Sequence, residues 1–222
     1  MEDAVSISPA IPAYATRKPV LGEINGMQTA LSFAAQDVET AHSQALCLCD
    51  VSSLERFGVK GPNAANWLQT AGMILPDSTN SWVLQDNGSL LMRLGNSEFL
   101  LEDRLENTLA KTLDNTAMDG SGVHKVLRND AAFIVSGEQA GALFSQVCAI
   151  DLTGETLADN RLVMTSLAGV SVTLLKQTLN GLIVYRIWCD GTFGPYLWET
   201  LVDIIEQQGG GPVGFNFYYT LN

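Results

Sequence analysis

The chain has 222 residues, 46% of them hydrophobic and 16% charged, a balance that supports a folded core and excludes intrinsic disorder. Its 24 acidic residues against 12 basic ones give a net charge of -12, which repels nucleic acid and anionic membrane surfaces as partners. No apolar run reaches the roughly 18 residues that would cross a bilayer, and Met1-Glu2-Asp3-Ala4-Val5 lacks the basic-then-apolar order of a signal peptide, so a cytoplasmic location is expected.

Residues 1–30 carry Pro9, Pro12 and Pro19 among small residues, then Gly22 and Gly26, with no sustained apolar period. That pattern predicts an extended N-terminal arm, packed on the body or held for a partner. The Ala-rich stretch from Ala30 to Ala45 predicts a helix. Cys47 and Cys49 then alternate in an apolar run, as two thiols on one face of a strand would. With Cys148 and Cys189 they form no CxxC pair and no zinc spacing, so packed thiols and no metal are expected.

Two segments repeat one another, Phe57–Leu68 and Phe133–Phe144. Each has a β-branched run, a glycine (Gly61, Gly137) where the chain must turn, and apolar residues at helical spacing. Pro62 suits a first helical turn. Alternating segments follow each copy. After the first come 81–85, 89–94 and 98–101, divided by Asp86-Asn87-Gly88 and Gly95-Asn96; after the second come 161–167, 170–175 and 182–188, divided by Ala168-Gly169 and Asn180-Gly181. In this setting Asn87-Gly88-Ser89 is a hairpin turn rather than a glycosylation site. A helix is predicted to close each set, at 102–113 and at 193–208, the second ending on Gly209-Gly210-Gly211. The predicted class is α+β, with two pseudo-repeated split-βαβ, ferredoxin-like halves at about 45–120 and 121–218 in a single domain spanning 31–222. A cleft between such halves is where a ligand is expected.

Routine catalytic signatures are absent. His42 and His124 adjoin no serine or cysteine motif, and there is no phosphate-binding glycine-lysine loop, dinucleotide fingerprint or HExxH. Glu98, Glu102 and Asp103 could pair for acid/base work, although acids at a helix start also serve its free N–H groups. Richer chemistry lies in Tyr185-Arg186-Ile187-Trp188-Cys189-Asp190-Gly191-Thr192-Phe193-Gly194-Pro195-Tyr196-Leu197-Trp198. There an arginine and several aromatics surround a Gly-x-x-Gly turn entering a helix, a set able to hold a planar heterocycle with a carboxylate tail. Arg186, Tyr196 and Asp190 are the candidate ligands, and core packing of the aromatics is the competing reading.

The run Asp50-Val51-Ser52, then Val59-Lys60-Gly61-Pro62-Asn63-Ala64 and Leu68-Gln69, resembles the opening motif of the glycine-cleavage aminomethyltransferase superfamily, and Val135–Phe144 is similar to its second copy. The resemblance implies a folate-binding-domain-like fold. The short length and the ending Arg186…Phe193-Gly194-Pro195-Tyr196-Leu197-Trp198 look most like the gamma subunit of heterotetrameric sarcosine oxidase. In the transferases an aspartate on the strand after the first hairpin turn holds the folate amine; the matching stretch here, Gly88–Arg93, has no acid. The family's Arg-Thr-Gly-Tyr-Thr-Gly-Glu-x-Gly motif matches Arg186–Gly194, with Thr192 where the pterin-gripping glutamate belongs.

A buried pterin without that carboxylate loses charged hydrogen bonds of about 1.5–3 kcal/mol each, so weak tetrahydrofolate binding and no independent aminomethyl transfer are expected. The leading expectation is an auxiliary, non-catalytic subunit supporting folate-coupled oxidative demethylation beside flavin-containing oxidase subunits. The alternatives are a free-standing tetrahydrofolate-binding transferase-like protein and a structural homodimer with a decayed site.

Overall fold

The structure, a computed structural model, describes residues 6–118, 122–152 and 154–219. Met1–Val5 and the expected boundary between halves at 120/121 lie outside the described residues. The chain divides into two compact units: one formed by Met1–Ser53, Asn129–Asp159 and Val163–Asn222, the other by Leu54–Arg128 and Asn160–Leu162.

The first unit opens with β1 (Ser6–Ile7), the single turn α1 (Ile11–Tyr14), β2 (Val20–Ile24) and β3 (Met27–Ser32). These strands form a small sheet in the order β1-β3-β2. The segment expected to be extended is therefore folded. Pro12 sits in the first turn of α1, where a missing N–H costs nothing, and Asn25-Gly26, both at positive φ, close the β2–β3 hairpin. Ala10 and Tyr14 are fully buried. Because β3 takes residues to Ser32, the following helix is α2 (Gln36–Ala45), shorter than predicted, and it leads into β4 (Cys47–Asp50). Glu39 of α2 is buried, and its carboxylate accepts from the N–H groups of Phe33, Ala34 and Gly214.

The second unit follows without interruption as β5 (Arg56–Lys60), α3 (Ala64–Thr70), β6 (Ser81–Leu84), β7 (Leu90–Arg93), β8 (Glu98–Glu102), α4 (Leu109–Asn115) and β9 (His124–Val126). Its antiparallel sheet has the order β6-β7-β8-β5-β9, the split-βαβ arrangement with one added edge strand. Phe57, Val59, Leu68, Leu91, Phe99, Leu101 and Leu113 form its core. The helix predicted from residue 102 begins instead at Leu109, because Glu102 ends β8 in register with Arg56, to which it is paired at 2.7 Å with both side chains buried. Asp103 does serve the helix start as the sequence suggests, accepting from the Ala110 N–H at 2.8 Å.

The chain then returns to the first unit with β10 (Asp130–Ser136), α5 (Ala140–Val147), β11 (Leu162–Leu167), β12 (Val170–Leu179), β13 (Leu182–Asp190), α6 (Gly194–Gln207) and β14 (Gly211–Val213). The six-stranded sheet runs β11-β12-β13-β10-β4-β14, with β14 parallel to β4. Both predicted two-residue turns, Ala168-Gly169 and Asn180-Gly181, have positive φ at each position, as the type I′ hairpin requires. Leu48, Phe133, Val135, Ile187 and Cys189 pack with Trp198, Leu201 and Ile205 of α6 to form the core of this unit. Strand alternation turns the intervening residues, Cys49, Ile134 and Arg186, to the other face.

The two predicted glycine turns are required by sterics. Gly61 and Gly137 have φ of +125° and +117°, and an added Cβ would lie 2.2 Å from the Gly122 carbonyl oxygen and 2.5 Å from that of Ala45 respectively.

Candidate functional site

Arg186 is brought to the sheet face opposite α6, in register with Ile134 on one side and Leu175 on the other. Only 5% exposed, it lies with its guanidinium 5.2 Å from the centroid of the Trp188 ring, two residues along on the same face. Cys49 shares that face. Burial pushes its thiol well above the ordinary value, and the nearby Arg186 charge opposes that shift without overcoming it.

The other two candidate ligands do not converge on Arg186. Asp190 lies on the same strand four residues further on, roughly 13 Å away at strand spacing. Its carboxylate accepts from the hydroxyl and the N–H of Thr192, closing the turn that leads into α6, and these two bonds hold its pKa below the usual carboxylate range. Tyr196 projects from α6, on the opposite side of the sheet from Arg186; it is half exposed and its hydroxyl donates to the Ala168 carbonyl at 3.1 Å. The Gly-x-x-Gly turn is also packed rather than open. A Cβ on Gly191 would meet the Asn129 carbonyl oxygen at 2.4 Å, and one on Gly194 would meet Pro9 Cβ at 3.1 Å. Of the aromatics, Trp188 and Trp198 are core residues, while Phe193 is half exposed.

Asp50 is the polar hub that sequence reasoning passed over. Almost fully buried, it accepts from the Ser8 hydroxyl, the Tyr14 hydroxyl at 2.9 Å, and both the N–H and the hydroxyl of Ser52 at 3.0 and 2.6 Å. The Ser52 half of this network is visible in the Asp-x-Ser spacing, because such a pair closes a local turn. Ser8 and Tyr14 come from the N-terminal segment, at a separation no local pattern reveals. Burial first, and the Asp50 charge second, push the Tyr14 phenol far above its ordinary value, so it stays a hydrogen-bond donor to Asp50.

In the second unit two of the three candidate acids, Glu102 and Asp103, are committed to structure. Glu102 faces Arg56. Asp103, just past β8, accepts from the Ser89 hydroxyl with its Oδ1 at 2.8 Å and from the Ala110 N–H with its Oδ2. Burial raises its pKa against the pull of those two bonds.

Two compact α+β units, each built on a β-glycine-turn-helix followed by a hairpin and a closing helix, define a double split-βαβ protein of the folate-binding-domain class. The chain belongs to the GCVT N-terminal domain family, whose profile matches residues 11–221, so the match includes most of the N-terminal segment. Among solved structures it resembles the glycine cleavage system aminomethyltransferase T of Bartonella henselae, with a TM-score of 0.68 and 19% identity over 90% of this chain and 57% of that one. It therefore spans little more than half of that relative. It also resembles a chain of the heterotetrameric sarcosine oxidase of Corynebacterium sp. U-96, crystallised with pyrrole 2-carboxylate, with a TM-score of 0.63 and 24% identity over 80% of this chain and 93% of that one. At these identities the likeness establishes the fold. No curated protein matches the chain.

The residues present fit a tetrahydrofolate poorly. Arg186 is retained and stacked on Trp188, but Thr192 stands at the glutamate position and donates to Asp190.

Proposed function

We propose that the chain is an auxiliary subunit of a sarcosine oxidase-like assembly in the cytoplasm, holding the folate-binding-type fold beside flavin-carrying subunits without performing transfer itself. The observation that carries this reading is the loss of both acids that the resemblance calls for: Gly88–Arg93 holds no carboxylate, and Thr192, at the glutamate position, donates to Asp190. The similarity to nearly the whole length of one chain of a heterotetrameric oxidase supports the same reading. Arg186, buried against Trp188, then acts as a structural cation of the sheet face and tetrahydrofolate is at most a weak ligand.

The test is affinity purification of the tagged chain from its native host, followed by the absorbance spectrum and subunit composition of the eluate. Flavin-containing partners in fixed stoichiometry are expected. The chain recovered alone, together with calorimetric tetrahydrofolate binding that Arg186→Lys abolishes, would overturn the proposal in favour of a free-standing folate protein.

A further inference from the structure

The two hairpins that follow the glycine turns differ in reach. In the second unit β7 and β8 are four and five residues long, and the chain closes directly over the turn, the Ser97 carbonyl accepting from the Gly61 N–H at 2.9 Å. In the first unit β12 and β13 are ten and nine residues long, and the pairing of β13 with β10 ends at Val184 opposite Ser136. Leu179, Leu182 and Ile183 therefore run on past the sheet as an overhang. Beneath that overhang, between it, the Gly137 turn and the start of α5, lies a cavity of about 470 Å³, in the size range of small-ligand sites.

Its lining has one distinct chemistry. Leu182, Ile183 and Tyr185 supply its apolar lining, and Ile183 is 62% exposed. Ser43 and Gln44 also line it, and among the described residues Glu138 is its one carboxylate, with no lysine, arginine or histidine in the lining. Glu138 stands one residue ahead of the N-cap of α5, is exposed, and its carboxylate makes no ion pair among the described residues. An anion is repelled by Glu138, and a purely apolar guest would strip water from it without replacing the lost hydrogen bonds. A cation on a hydrocarbon stem satisfies both sides, as a lysine side chain does when it buries its methylenes and keeps its charge solvated.

We propose that this cavity binds an aliphatic ammonium group, its stem against Leu182, Ile183 and the Tyr185 ring and its charge at the Glu138 carboxylate. The ammonium belongs either to a free alkylamine or to a lysine of a protein partner. The site uses none of the residues on which the auxiliary-subunit reading rests, so either can fail without the other.

The test is a titration of the full ¹⁵N-labelled chain with hexylammonium, with Nα-acetyl-lysine methylamide and with neutral hexanol, followed by amide chemical shifts. Saturable shifts confined to the amides of Gln44, Gly137, Gly141, Gly181 and Ile183 are expected, with hexanol about tenfold weaker and Glu138→Gln weakening the ammonium probes by about tenfold, the worth of one charged hydrogen bond. Ile183→Thr should weaken both ammonium probes while leaving the fold intact. Tighter binding of the lysine probe assigns the site to a partner protein, and tighter hexylammonium assigns it to a free amine. Shifts scattered over the surface, hexanol equal to hexylammonium, or unchanged binding by Glu138→Gln would overturn the proposal.

Discussion

In the second unit, the strand beside β5 is β9, which arrives in chain order after α4; in the first unit the corresponding place beside β10 is taken by β4, which precedes the whole repeat, and β14 is displaced to the edge next to it. The same strand, glycine turn and helix thus seed both halves, while a long-range partner decides how each sheet is completed. The difference is also chemical. All four cysteines fall in the first unit and the second has none, so thiol chemistry reports on one half alone.

That asymmetry allows the two halves to be broken separately. The largest effect is expected from Trp198→Ala, which removes a fully buried indole stacked near Tyr14 and Phe33; a loss of about 4 kcal/mol should appear as a lowered urea midpoint and as faster alkylation of Cys47 and Cys49. Arg56→Ala leaves Glu102 buried and stripped of this cation, and about 3 kcal/mol should be lost from the second unit. Thiol labelling should stay slow in that variant. Labelling accelerated equally by both changes would mean that the halves unfold as one cooperative body.

Gly61→Ala and Gly137→Ala sharpen the comparison from the shared motif. Each forces a side chain into left-handed backbone and against a carbonyl oxygen, and each should cost about 2 kcal/mol or more, measured by calorimetry. Only the Gly137 variant should speed labelling of Cys47. The smallest expected effect is a pH dependence confined to the second unit. A folded-state Asp103 carboxyl held above its ordinary value binds its proton more tightly in the native state than in the unfolded one, so it adds stability as pH falls toward 3.8 and withdraws it as pH rises. Subtracting the unfolding curves of Asp103→Asn from those of the natural chain, from neutral to acid pH, should reveal a difference of that sign.

Local signals made much of this fold legible. The two glycine turns, the Ala168-Gly169 and Asn180-Gly181 hairpins and the helix ending at Gly209 are each set by backbone conformations that few residues tolerate, so they can be read from identity alone. The N-terminal segment misled because its prolines suggest an extended chain, whereas Tyr14 is fixed by Asp50 and Trp198, partners far away in sequence. The helix expected at 102–113 failed for a similar reason: Glu102 has the composition of a helix start, but its pairing with Arg56 across the sheet takes precedence. Of the candidate site, the positions of Arg186 and Asp190 on one strand are legible in the sequence, but nearness in sequence does not bring Tyr196 to Arg186, because the sheet stands between them.

The pairing of β4 with β14 bears on the order of events at the ribosome. The second unit is continuous apart from a three-residue tail, and β5 to β9 are available as soon as Arg128 has left the exit tunnel. The six-stranded sheet must wait for Gly211–Val213 to emerge, a delay of several seconds at the usual rate of about 5–20 residues per second. During that interval β4 exposes the apolar run Leu46-Cys47-Leu48-Cys49 without its parallel neighbour, the point in the life of the chain at which nascent-chain chaperones would have most to shield.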